Sequence, residues 1–227
     1  MSAKETYTYK YPRPSVTTDC VIFGYDEHEL KVLLIERGND PYKGCWAFPG
    51  GFLNMDEEAL TGAKRELQEE TGLEQAYIEQ FYTFSDVDRD PRGRVISIAY
   101  LALVKIQEVK GGDDATQAKW FSMKDIPPLA FDHKQILYLA INRLKEKIFL
   151  EPILFELLPE TFTLLQLQHI YECILGEHFD IQKITNKLLD AGILENTNSN
   201  SVGENCQNST KYRFNKKRNL PFIQMLF

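Results

Sequence analysis

The sequence predicts an α/β domain over residues 1–149 followed by a small winged helix-turn-helix domain over residues 150–227, and three observations carry that prediction. Strand-like runs dominate up to Phe149 with only one or two helices among them. Two short helices and a hairpin pattern follow. Within the first part, a turn at Pro49-Gly50-Gly51 leads into a helix crowded with carboxylates.

The elements can be justified in order. Ser15–Tyr25 and Leu30–Glu36 are rich in β-branched and aliphatic residues, and the turn formers Asp26-Glu27-His28-Glu29 between them suggest a hairpin. Trp46–Phe48 is a short extended piece. The carboxylate-rich helix of about fifteen residues should then stop at Gly72. Tyr77–Ser85 and Val95–Val104 read as strands joined through Asp90-Pro91-Arg92-Gly93, a type I turn sequence. Lys119–Met123 adds a short strand, and His133–Phe149 has helical periodicity through Ile136, Leu137, Ala140, Ile141, Leu144 and Ile148. Asp132 and His133 precede that helix as caps. After Phe149, Thr163 and Gln166 form a capping box opening a helix to Leu175, and Asp180 can cap a second helix, Ile181–Ala191. An Ile193–Glu195 strand, a polar loop over 196–210 and Lys211–Phe214 complete the order expected of a winged helix-turn-helix.

Composition bounds the function. With 43% hydrophobic and 26% charged residues the chain is neither disordered nor membrane-spanning, and the N-terminus shows no secretory signal, so a cytoplasmic location is expected. Cys20, Cys45, Cys173 and Cys206 lie too far apart for a zinc or disulfide pattern and read as reduced thiols. The net charge of −7 is unevenly spread: residues 1–150 carry 19 basic and 24 acidic groups, residues 151–204 carry 2 and 9, and residues 205–227 carry 5 and 0. Any anion-seeking surface of the small domain therefore includes the C-terminal segment.

The carboxylate helix carries the chemistry. Glu66, Glu69 and Glu70 stand at i, i+3 and i+4 and share one arc, while Leu60, Ala63 and Leu67 form an adjacent apolar arc for the sheet. Like charges so close call for a hard cation, and Mg²⁺ is the expected cofactor, taking carboxylates on one side and diphosphate oxygens on the other. Arg65 can brace Glu69, and Gly50-Gly51 permits close backbone approach to metal or ligand. Gly51, Glu57, Arg65, Glu66, Leu67, Glu69, Glu70, Gly72 and Leu73 match the Nudix box without departure. The segment thus resembles Nudix domains, which implies an α/β/α sandwich with a mixed sheet. It also implies metal-binding and catalytic roles for Glu66, Glu69 and Glu70, supported by Arg65 and Glu57.

A second resemblance spans nearly the whole chain. The box together with Arg89–Arg94, Gly112–Ala115 before Trp120-Phe121, Leu129–His133, Phe162-Thr-Leu and Tyr171-Glu172 is similar to the Nudix-related transcriptional regulators. That resemblance implies a homodimer whose Nudix domain senses a sugar or a nucleotide sugar such as ADP-ribose and whose winged helix binds double-stranded operator DNA. Arg89, Arg92 and Arg94 are candidates for gripping ligand phosphates. Asp113 and Asp114 are either further metal ligands or an acidic turn. For DNA, Gln182, Lys183, Asn186 and Lys187 lie on the outer side of the second short helix, with Lys211, Arg213, Lys216 and Lys217 on and after the wing. Two readings follow: a metabolite-responsive transcriptional regulator, favoured by the C-terminal order, and an Mg²⁺-dependent Nudix hydrolase of ADP-ribose or a related substrate, favoured by the unbroken box.

Overall fold

A computed structural model of the chain describes residues 8–215 apart from 75, 110, 112–114 and 202–208. Its organising element is strand β1 (Ser15–Tyr25), buried along nearly all its length. β1 pairs antiparallel with β2 (Leu30–Arg37), as the turn between them requires, and parallel with β6 (Val95–Leu103) on its other edge. β3 (Trp46–Ala47) and β7 (Ala115–Ser122) pair with β2, β4 (Gly50–Phe52) pairs with β1, and β5 (Tyr77–Phe84) closes the far edge beside β6. The sheet is therefore mixed, in the order β3-β2-β1-β6-β5 with β4 and β7 off that path.

The period-two alternation of β1 decides the layers. Cys20 and Ile22 turn to one face, where they pack with Ala63 and Leu67 of helix α1 (Ala59–Thr71) and with Tyr100 and Ala102 of β6. Val21 and Phe23 turn to the other, against Ile136, Ala140 and Leu144 of helix α2 (His133–Leu150). A helix on each face makes a three-layer α/β/α sandwich. Leu60, expected in the apolar arc of α1, is instead 41% exposed. The contact row runs at intervals of four through Ala59, Ala63 and Leu67, so the seam passes beside Leu60.

Beyond α2 a single 3₁₀ turn, Ile153–Glu156, leads to β8 (Phe162–Thr163), α3 (Leu164–Leu175), α4 (Gln182–Asp190), β9 (Leu194–Ser201) and β10 (Ser209–Phe214). Thr163 and Gln166 form the reciprocal capping box, and Gly176 ends α3 with φ of 79°. The Asp180 carboxylate accepts the Gln182 backbone N–H at 3.2 Å, but the N-cap position of α4 is Ile181, which makes no side-chain cap bond. The segment expected to be a polar loop contributes to both wing strands: Asn200 pairs with Thr210 and Ser201 with Ser209. A ladder satisfies backbone groups whatever the side chains, so polarity alone does not stop a strand. Asp132 starts α2 without capping it through its side chain.

Both domains are joined through one apolar core. Residues of the sheet, of α2 and of the small domain, including Phe162, Leu167, Ile170, Ile184 and Leu194, form one continuous buried cluster. The polar seam follows the same path: the Tyr171 hydroxyl donates to the Ile148 carbonyl (3.3 Å), Lys145 donates to the Leu175 carbonyl (3.2 Å), and Tyr25 meets His169 at 2.5 Å. No described helix is long and apolar enough to cross a membrane.

Ile170→Ala in α3 should cost about 2–5 kcal/mol, the usual range for truncating a fully buried aliphatic side chain. Because the core is shared, the fluorescence transition of Trp46 and Trp120, both in the first domain, should move to lower denaturant together with the circular-dichroism transition. Two separated transitions, with tryptophan unmoved, would show independent cores.

Candidate ligand cleft and DNA-reading face

The cleft forms where β4, α1 and the N-terminal end of α2 meet. It measures about 440 Å³, within the range of small-molecule sites, and its walls include Asp19, Arg37, Gly50, Gly51, Glu66, Glu69, Glu70, Arg89, Arg92, Phe131 and His133. On the α1 wall, Glu70 is buried and accepts the Gly50 backbone N–H at 2.8 Å. A Cβ on Gly51 would lie 2.2 Å from Glu66 Oε1, so the absence of a side chain there is what lets the carboxylate approach the strand.

Arg65 offsets part of the repulsion among the carboxylates. Its guanidinium reaches Glu57 at 2.6 Å, Glu66 at 2.7 Å and Glu69 at 2.9 Å, and also donates to the Phe52 carbonyl. Hydrogen bonding from Arg65 and from the Asn54 backbone holds Glu57 down at about 2. Burial pushes the Glu66 carboxyl up, against the pull of Arg65. Among the described residues no three acidic, histidine or cysteine side chains already converge to ligate one ion. The oxygen donors Glu66, Glu69 and Glu70 nevertheless suit a hard cation.

The opposite wall is a buried polar network. Asp132 receives a two-pronged hydrogen bond from Arg89, at 2.8 Å from Nε and 2.7 Å from Nη2. Asp19 lies 3.7 Å from the same guanidinium, accepts the Ser97 hydroxyl and faces His133 Nε2 at 3.6 Å. Burial lowers the His133 pKa, favouring the neutral ring. Its Nδ1 accepts the Phe48 backbone N–H at 3.0 Å, which puts the ring proton on Nε2, toward Asp19. Phe48 stacks on the imidazole at 5.1 Å.

In the small domain, α4 buries Ile184, Thr185 and Leu188 and exposes Gln182, Lys183, Asn186 and Lys187 on its outer side. The wing carries Lys211 and Arg213, and Arg213 sends both Nε and Nη2 to Glu195 at 2.9 Å.

Residues 13–140 match the NUDIX domain and residues 154–214 the NrtR DNA-binding winged helix domain. The ADPR responsive transcriptional repressor NtrR of Acinetobacter baylyi is 34% identical over 197 residues, covering 85% of this chain and 79% of that protein. The chain belongs to the Nudix-related transcriptional regulator family. NrtR of Shewanella oneidensis superposes with a TM-score of 0.77 at 33% identity, over 88% of this chain and 94% of that one. That protein has also been solved with a 27mer DNA (TM-score 0.77, 32% identity, 88% and 93% coverage), and its Nudix domain with ADP ribose (0.57, 37%, 61% and 94%). An ADP-ribose pyrophosphatase of Methanocaldococcus jannaschii is 44% identical over 127 residues, 56% of this chain and 73% of that enzyme.

In this Nudix regulator the expected site residues do not all come together. Glu66, Glu69 and Glu70 are drawn together with Gly50 and Gly51 at one wall, and Arg65, itself paired with Glu57, bonds to Glu66 and Glu69 without lining the cleft. Arg89 and Arg92 also line the cleft, but each is already paired, Arg89 with Asp132 and Arg92 with Asp90 at 2.6 Å. Arg94 is a correction: its guanidinium donates to the Ser85 and Asp86 carbonyls and is not part of the cleft lining, so it braces the loop. Arg213 has its charge met by Glu195, while Lys211 stands on β10 opposite Thr163. Asp113, Asp114, Lys216, Lys217 and Cys206 lie outside the described residues. Asp19, Arg37 and Phe131, which line the cleft, were not anticipated as site residues. A carboxylate inside the apolar strand Thr18-Asp19-Cys20-Val21 was the available signal for Asp19, since a buried charge needs a partner.

The two glycines should respond differently to alanine. At Gly50 the new Cβ would meet the Thr18 backbone oxygen at 2.0 Å, which cannot swing away, so Gly50→Ala should cost about 1–3 kcal/mol. At Gly51 the obstacle is the tip of the Glu66 side chain, which can rotate, so Gly51→Ala should fold with a smaller loss. Thermal denaturation of both variants checks this, and equal destabilisation would contradict the assignment.

Proposed function

We propose that this chain is an ADP-ribose-responsive transcriptional repressor that works in the cytoplasm as a homodimer, with ADP-ribose in the Nudix cleft and the winged helix on operator DNA. The observation that carries the reading is the position of α2. Its first residue, His133, lines the cleft, and Lys145 and Ile148 near its last turn bond to α3 of the DNA-binding domain. Eighteen residues of helix span about 27 Å, so one rigid element reaches from ligand to reading head. A ligand that shifts the Arg89–Asp132 fork at the start of α2 acts on α3 at its end, and so on the angle at which α4 meets the groove.

The relatives narrow the effector. The repressor from Acinetobacter is ADP-ribose responsive, and the Shewanella domain is solved with ADP ribose, which favours a nucleotide sugar over simple sugars. On α4, Gln182 and Asn186 are of the type that reads adenine edges, and Lys183 and Lys187 are suited to phosphates. A dimer would place two such helices on a two-fold operator.

A second reading, hydrolysis of ADP-ribose to AMP and ribose 5-phosphate, is favoured by the complete carboxylate set and by the likeness to the archaeal pyrophosphatase. Glu66, Glu69 and Glu70 would hold magnesium, which when bound neutralises the diphosphate. Glu70, whose carboxylate accepts the Gly50 N–H, would orient an attacking water and take its proton.

In a gel-shift titration with DNA from upstream of the protein's own gene, ADP-ribose should weaken specific retardation. Lys187→Ala should lower affinity for all sequences and reduce the salt slope by about one. Retardation indifferent to sequence at moderate salt would sink the regulator reading. With ADP-ribose and Mg²⁺, AMP release by the wild type and its loss in Glu70→Gln is the outcome expected of retained hydrolysis; no turnover by the wild type would leave a sensor alone.

A further inference from the structure

The turn between β1 and β2 is held by side chains as well as by its backbone. The Asp26 carboxylate accepts the backbone N–H groups of His28 (3.1 Å) and Glu29 (2.9 Å) and pairs with the Lys31 ammonium at 2.6 Å, while the Ser122 hydroxyl donates to Glu29 at 2.6 Å. Glu27 has a φ of 73°, which a residue with a side chain rarely adopts, and its carbonyl accepts the Tyr25 hydroxyl at 3.1 Å. Such a conformation persists only where its surroundings over-determine it. These bonds make the turn a rigid projection at the end of β1.

That projection bears on the DNA-binding domain. His169 and Cys173 stand four residues apart on α3 and so share a face. The His169 Nδ1 meets the Tyr25 hydroxyl at 2.5 Å, and the Cys173 thiol donates to the His28 carbonyl at 3.7 Å. Tyr25 has one hydroxyl proton for two partners, so the bonds to Glu27 and to His169 are both made only when the imidazole carries a proton on Nδ1 and donates it. Burial raises the Tyr25 pKa, which keeps the hydroxyl proton in place. Tyr171, two residues from His169 and hence about 200° away around the helix, donates to the Ile148 carbonyl of α2. The turn and the end of α2 thus grip α3 from opposite sides.

We propose that the Tyr25–His169 contact is the fulcrum of the ligand response: the turn holds one side of α3 still while α2 moves the other, so a displacement begun in the cleft becomes a rotation of the DNA-binding domain. This rests on the ADP-ribose-responsive reading and adds the residues that give the response its direction. Both supports of α3 start from one network, since Asp19 of β1 and Asp132 before α2 face the same Arg89 guanidinium, at 3.7 and 2.7 Å. β1 is paired along both edges and is the support less free to follow a ligand. A change of spacing across Arg89 therefore moves α2 against β1, and α3 receives the difference. A shift of about 1 Å across a helix about 10 Å wide turns it by about 6°. Held by α2 alone, α3 would travel with α2 and α4 would keep its angle.

The test uses the full chain in metal-free buffer, where no hydrolysis competes, with fluorescence anisotropy on the same upstream DNA, with and without saturating ADP-ribose, and calorimetric titration of ADP-ribose. Tyr25→Phe, which removes only the hydroxyl, should leave ADP-ribose affinity and unliganded DNA affinity within about threefold of wild type. The ratio of the DNA Kd with ligand to that without it should fall at least threefold toward one. His169→Ala should do the same, and His169→Asn, which keeps a side-chain N–H donor, should retain at least half of the wild-type ratio. An unchanged ratio in Tyr25→Phe and His169→Ala, even with lower thermal stability, would assign the contact to stability alone and overturn the proposal. Equal losses in His169→Asn and His169→Ala would place the effect in ring packing and overturn it as well. A wild type whose DNA affinity ignores ADP-ribose would overturn both the fulcrum and the ADP-ribose-responsive reading, whereas a wild-type response that survives in the variants would overturn the fulcrum alone.

Discussion

The apolar seam of α2 is buried by two different partners, and most of the architecture depends on that double burial. Ile136, Ala140 and Leu144 close one face of the sheet, while Ile148 continues the same core into the small domain. A helix packed on only one domain could move without consequence for the other. Here any displacement of α2 disturbs packing on both sides, and densely packed interiors do not absorb such shifts silently. The Tyr171 hydroxyl on the Ile148 carbonyl and Lys145 on the Leu175 carbonyl fix the register of this junction, because each satisfies a specific backbone oxygen near the end of a helix.

The cleft illustrates how charge is managed where burial and function compete. Its opposite walls carry carboxylates on α1 and a salt-bridged network around Asp19, Arg89, Asp132 and His133. Buried charges are tolerated only with partners, and removing one member leaves the other exposed to the full desolvation penalty. The network is consequently a structural frame first. It holds the start of α2 against β1 and sets the orientation of the surfaces between which a ligand would lie.

Much of this was legible in the sequence. The β-rich run of β1, the capping box at Thr163, the end of that helix at Leu175 and the Nudix spacing of Glu66, Glu69 and Glu70 are local patterns, and each appears where local physics puts it. What stayed hidden were contacts between residues far apart in the chain. The partner of Arg89 is Asp132, 43 positions away, and that of Phe48 N–H is His133, 85 positions away. Arg94 looked equivalent to Arg89 and Arg92 because sequence gives proximity along a loop but not direction. Leu60 looked like part of the buried arc because a helical wheel does not say where the sheet lies.

The grip of Arg65 on three carboxylates has a consequence for what kind of device this domain is. By carrying its own counter-ion, the acidic helix has part of its repulsion offset before anything enters the cleft, one guanidinium meeting Glu57, Glu66 and Glu69. Foldedness thereby leans less on occupancy than it would if the same carboxylates faced one another with no cation of their own. A detector gains from that, since only a body that survives its empty state can report emptiness as a signal.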